Sequence, residues 1–266
     1  MELFEYYKKK GKLKCLIGTG LFLYGLIGMY NTWGNINWGN INWGPVILII
    51  IASLVFFSIG FWQLRKGNLL EKNIIKNDLT FWDIDTYVLL ELPGNNKHLG
   101  LYTPDGRYVA GTKMISSTLP ILKNKEVFGL EASDGEILAY FQSEVENYDW
   151  AIYDSNYNCV GMFKENMIQG FGMVRGSLMN EKEIKISEIE VEFDFFETSF
   201  RTMDDRILIN CKRGYMPLEW SERFGLNVPI IRLGNNISNA EKIFGLGILL
   251  YILETIKVRK SRIFND

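Results

Sequence analysis

The sequence predicts a mainly β protein: an antiparallel closed barrel of about 12 strands around a hydrophobic C-terminal helix, preceded by an N-terminal two-helix transmembrane hairpin. Three observations carry this prediction. No charged residue occurs between Cys15 and Leu64, a window long enough for two membrane spans. From about residue 80 to Leu233, short runs rich in β-branched and aromatic residues alternate with turn signals. Finally, Ile243 to Leu253 (IFGLGILLYIL) is apolar or glycine all round, so as a helix it must be surrounded, yet it falls short of the roughly 20 residues of a membrane span.

The hairpin is read as residues 1–66, with spans at 13–30 and 45–64. Pro45 fits a first helical position, where its missing amide costs little. A cleaved signal peptide is the alternative for the first span; the absence of a small-residue cleavage site and the immediate second span argue against it. Lys8, Lys9, Lys10, Lys12 and Lys14 precede the first span, and Arg65 and Lys66 follow the second. Basic flanks belong on the cytoplasmic side, so the expected location is the cell membrane, multi-pass, with both termini cytoplasmic. Between the spans lies NTWGNINWGNINWG. Its Trp33, Trp38 and Trp43 suit an aromatic belt at headgroup level better than an external recognition element, because so short a loop holds no pocket and no titratable group.

Residues 67–79 form a weakly amphipathic juxtamembrane linker, and residues 80–266 the barrel domain. LGLYT and RYVAGTKM flank Pro104-Asp105-Gly106, and VFGLEA and EILAYFQ flank Ser133-Asp134-Gly135. Both are hairpins whose glycine supplies positive φ. WAIYD and CVGMF flank a looser turn at Ser155–Asn158, and later runs extend to VPIIRL, with no helical periodicity before Ser238. Glycines within the runs suit the bends of a strongly curved sheet. Ser238-Asn239-Ala240-Glu241 reads as a capping box that starts the last helix at Asn239, the core helix running to about 257. Ile243, Phe244, Leu246, Leu249, Leu250, Ile252 and Leu253 are its expected core contacts. A third span would put Lys257, Arg259, Lys260 and Arg262 outside, against the positive-inside tendency.

Antiparallel strands, then GYMPLEWSERFGLNVPIIRL at Gly214 to Leu233, then an apolar helix: this order resembles the tubby C-terminal, LURP-one-related and phospholipid scramblase superfamily. The likeness covers about residues 80–258 and is closest to small bacterial membrane-anchored members. It implies a twelve-stranded barrel threaded by the C-terminal helix. Tubby domains bind phosphoinositides through basic side chains, and the sequence alone places no matching basic cluster.

Charge and residue counts narrow the chemistry. Residues 1–66 carry seven basic and two acidic groups, whereas the remainder is net −7. An acidic main domain argues against a nucleic-acid partner. His98 is the single histidine, so a Cys-His dyad would have to join it to Cys159 or Cys211. The three cysteines have no CxxC spacing, and no glycine-rich phosphate loop is present. In SEIEVEFDF, Glu188, Glu190, Glu192 and Asp194 share one strand face. They are the candidate metal or basic-partner site, and the calcium dependence of scramblases encourages that reading. Their spacing of some 7 Å favours an outward face paired with neighbouring lysines or arginines instead. No catalytic residues and no cofactor are expected. The expected function is a non-enzymatic scaffold or sensor at the membrane, the alternative a lipid-binding or scramblase-like protein. Membrane lipids, met by the hairpin and its basic flanks, are the expected partners, and the sequence names no protein partner.

Overall fold

The computed structural model describes residues 3–33, 44–71, 80–92, 99–115, 127–144, 149–166, 173–192 and 197–263, and the chain divides into two compact units, Met1–Lys76 and Asn77–Asp266. In the first unit, helix α1 (Leu3–Trp33) packs against helix α2 (Gly44–Glu71). Both contain stretches long and apolar enough to cross a membrane, Leu3–Tyr30 and Gly44–Asn68. The helices outrun the apolar windows because lysine, arginine and glutamate are good helix formers. Lys8–Lys14 therefore sit on α1 itself, and α2 continues into the expected linker as far as Glu71.

Small residues set the spacing of this pair. A Cβ on Gly11 would stand 2.8 Å from the Gly60 carbonyl oxygen, and one on Gly60 would stand 3.0 Å from the Cys15 nitrogen. One α-turn pair further along, Ser53 is fully buried and its hydroxyl donates to the Gly18 carbonyl at 2.9 Å. Backbone contact of this kind is how helices associate where lipid removes the hydrophobic drive.

The second unit is a single 12-stranded antiparallel sheet curled into a nearly closed barrel. Its strands are β1 (Thr86–Glu91), β2 (Leu99–Tyr102), β3 (Tyr108–Ile115), β4 (Val127–Ala132), β5 (Ile137–Glu144) and β6 (Asp149–Asp154). They continue as β7 (Cys159–Glu165), β8 (Met173–Asn180), β9 (Lys185–Glu192), β10 (Glu197–Arg201), β11 (Ile207–Lys212) and β12 (Ile230–Leu233). The order is β10-β11-β12-β1-β2 and onward to β9, so β12 pairs back onto β1.

Five hairpins share one hydrogen-bond pattern. At Thr103–Arg107, Ala132–Glu136, Asp154–Asn158, Asn180–Ile184 and Thr202–Arg206, the first amide donates to the fifth carbonyl and the fourth amide donates back to the first. Each is followed by a register shift in the flanking strands. This is the three-residue loop with a bulge, which needs positive φ at its fourth residue. Gly106 and Gly135 supply it at φ 98° and 94°, as the sequence predicts; Tyr157, Glu183 and Asp205 adopt it at 57–62° without being glycine.

Two helices complete this unit. Helix α3 (Leu218–Phe224) lies where no helical periodicity is read. Its seven residues are too few to show a period, and its anchor is the buried Phe224, whose ring meets Tyr102 of β2 at 6.3 Å. Helix α4 (Asn239–Ile263) starts at the expected residue. The capping box is formed: Glu241 accepts from the Ser238 amide at 2.8 Å, while the Glu241 amide donates to the Ser238 hydroxyl at 3.2 Å. Ile243, Phe244, Leu246, Leu249, Leu250 and Ile252 are buried in one core cluster with strand side chains, and the partly buried Leu253 packs against it.

Glycines let strands and helix approach. A Cβ on Gly161 of β7 would lie 2.5 Å from the Phe244 ring and 2.6 Å from the Met179 carbonyl oxygen. Gly161→Ala should therefore lower the domain's stability by about 1–3 kcal/mol, read as a fall in denaturant midpoint with an unchanged slope.

Candidate functional site

Three of the four candidate carboxylates, Glu188, Glu190 and Glu192, stand on β9. Glu188 and Glu190 point outward, with Ile189 and Val191 buried behind them. Glu190 pairs with Arg175 of β8 at 2.5 Å, and Glu188 pairs with Lys185, whose hydrogen bond and charge hold the carboxyl below the usual range. Glu192 closes β9, while Asp194 lies outside the described residues. Among the described residues no group of three or more His, Cys, Asp or Glu is placed to hold a metal ion. Burial raises the Cys159 thiol and pushes Cys211 up to about 12, so neither is a ready thiolate. His98 lies outside the described residues.

A groove of about 570 Å³ crosses the outer face of β10, β11 and β12. The strand register explains it: Ser199, Asn210 and Arg232 stand side by side on neighbouring strands, and the short side chains between the long basic ones leave a depression. Arg201, Arg206, Lys212 and Arg232 line it together with Glu197 and Asp205. Three of these cations already hold a carboxylate. Lys212 meets Glu197 at 2.8 Å, Arg201 meets Asp205 at 2.9 Å, and Arg206 meets Glu241 of α4. Among the described residues no carboxylate pairs with the exposed Arg232. Asn210 donates to Ser199 at 2.7 Å and to Glu197 at 3.0 Å, fixing the floor. This basic cluster is invisible in the sequence, because its members are spread over residues 197–235 and only strand pairing gathers them.

Glu241 and Lys242, adjacent in the first turn of α4, face different surroundings. Glu241 is partly buried, which would raise its carboxyl, but hydrogen bonds from Arg206 and Ser238 outweigh this and hold it low. Lys242 is buried, and its ammonium donates to the carbonyls of Phe81 (2.7 Å), Trp82 (3.1 Å) and Ile84 (2.7 Å). The rings of Phe81 and Tyr87 lie 4.8 and 5.5 Å away. A cation satisfied by three carbonyls and two aromatic faces is a structural clamp between α4 and the first residues of the domain.

On the helical pair, Lys10 donates to the Tyr6 hydroxyl at 3.0 Å, Lys8 lies over Phe4, and Lys66 lies over Tyr7 and Trp62. Lys9, Lys12 and Arg65 are exposed, and Lys14 is half-buried. Trp33 is the last residue of α1; Trp38 and Trp43 lie outside the described residues.

The class these features define is a nearly closed β-barrel domain preceded by two helices able to cross a membrane. No family profile and no curated protein matches the chain. Among solved structures, the X-ray structure of a protein from Arabidopsis thaliana is a weak neighbour, at 9% identity and a TM-score of 0.38, covering 65% of this chain and 91% of the other.

Burial pushes Lys242 down to about 8, against the opposing pull of Asp85 and Asp83. Between about pH 8 and the ordinary lysine value of 10.5, the unfolded chain then binds a proton that the folded domain does not, so this residue's contribution to stability rises with pH across that window. Lys242→Met should lose this rise, so the wild-type-minus-variant difference in denaturant titrations should grow by about 1–3 kcal/mol across the window. That difference also cancels Cys211, which works in the opposite direction above pH 9.

Proposed function

We propose that this protein is a membrane-anchored, non-enzymatic scaffold or sensor, in which two transmembrane helices hold a tubby-like barrel at the cytoplasmic face. The observation that carries the reading is the presence in one chain of two long apolar helices and a barrel whose outer charges line a groove. The basic flanks of the helices support a hairpin with both ends inside, next to anionic lipid. The element order supports membership of the tubby, LURP-one-related and scramblase superfamily.

In this reading α4 threads the barrel. Support comes from opposite parts of the sheet: Ile209 of β11 meets Gly245, while Phe141 of β5 and Ile152 of β6 meet Gly247.

Reporters fused after Arg65 and after Asp266 should both read as cytoplasmic, and an external signal at Arg65 would reject the orientation. Reconstituted into vesicles, the chain should leave labelled lipids in their leaflet. Protein-dependent flipping would favour a scramblase-like activity over the scaffold. For residues 67–266 alone, Leu250→Asp puts a carboxylate at a site only 3% exposed and should cost about 3 kcal/mol or more. Loss of the cooperative melt is the expected result; a variant melting like the wild type would sink the threaded core.

A further inference from the structure

We propose that the groove on β10, β11 and β12 is a docking site for an acidic segment of a partner protein, received as a carboxylate by Arg232 and transmitted through Arg206 to the first turn of α4. The inference deepens the scaffold reading and rests on it for the partner's class. Charge decides the ligand. Four cations against two carboxylates leave the lining net positive by two, and Glu241, paired to Arg206 from α4, reduces this to one. A single carboxylate neutralises the remainder. A phosphate dianion would overshoot it while facing Glu197, Asp205 and Glu241 at close range. The groove already accommodates carboxylates on three of its four cations, so the geometry suits this group, and Arg232 is the cation left over. Its planar fork donates to both oxygens of a carboxylate. The lining holds no aromatic ring on which a nucleobase would stack. Asn235, exposed at the groove, offers a side-chain amide to an extended peptide.

The relay follows from one shared carboxylate. Glu241 reaches Arg206 with Oε1 and caps Ser238 with Oε2, and the next residue is the clamped Lys242. A carboxylate docked on Arg232 brings a further anion into the groove that Arg206 also lines, and so competes with Glu241 for Arg206 and loosens the tether between the groove and α4. By linkage, removing the Glu241 charge must strengthen docking as much as docking weakens the tether. Glutamine retains the capping box, so Glu241→Gln isolates the ion pair from the cap.

The test uses the full chain in phosphatidylcholine nanodiscs, titrated with a fluorescent glutamate-rich peptide and its glutamine counterpart. Saturable, salt-sensitive binding of the glutamate peptide alone is expected. Arg232→Gln should weaken it about tenfold or more, as expected for loss of a charge-assisted hydrogen bond. Glu241→Gln should tighten it about threefold or more, a gain that a misfolded chain cannot produce. Amide exchange at residues 239–243 should quicken on docking in the wild type and not in Glu241→Gln. Equal binding of the two peptides, an Arg232→Gln variant that binds like the wild type, or an unchanged affinity in Glu241→Gln overturns the proposal; so does pyrophosphate binding more tightly than the peptide. A chain that docks the peptide but also flips lipid would overturn the scaffold reading and leave the docking site standing.

Discussion

Ten residues of α4, Ile243 to Ile252, carry no polar group that could face water except the Tyr251 hydroxyl, and the barrel unit depends on covering them. The Tyr251 hydroxyl is itself satisfied by the buried Glu165. An apolar cylinder of this kind is stable only with side chains on every flank. The close approaches at Gly161, Gly245 and Gly247 show how little room is left once it is covered, since a single added methyl at each would meet a ring or an isoleucine. Curvature in the sheet and smallness at those three positions are two expressions of the same requirement.

Much of this architecture is legible from residue pattern, because the patterns have local physical causes. Asp-Gly turns announce two hairpins, and Ser238 with Glu241 announces the start of α4 to the residue. What stays hidden has non-local causes. The hairpins at Asn180–Ile184 and Thr202–Arg206 use the same geometry but seat Glu183 and Asp205 where glycine is the expected signal. Their strain is carried by the paired strands on either side and by side-chain bonds such as Asn180 accepting from the Ile184 amide at 2.9 Å. Helix α3 is hidden for a different reason, being held by Phe224 and by Arg223 donating to the Pro104 carbonyl at 3.2 Å rather than by any period of its own.

The candidate site divides in the same way. The outward row of β9 is readable from alternation alone, and Glu188 and Glu190 do stand on that face, each beside a cation. The groove is not readable, because β10, β11 and β12 become a surface only when their register is known. Nor does the clamp at Lys242 have a sequence signal: a lysine in the first turn of a helix normally points to water, and only the carbonyls of Phe81, Trp82 and Ile84 make burial tolerable. The glycine spacing of α1 and α2 is visible in the chain, yet its meaning depends on knowing that the two helices run antiparallel in contact.

The order of elements along the chain has a consequence for how the protein is made. Every strand from β1 onward leaves the ribosome before α4 does. At about 5–20 residues per second, the interval between Thr86 and Asn239 is on the order of 10 s. During it the side chains that α4 will meet, including Phe141, Ile152 and Ile209, lack that partner. The unit can complete its core only once α4 has emerged. The place of α4 after all twelve strands therefore sets how long those apolar side chains stand open to other nascent copies during synthesis.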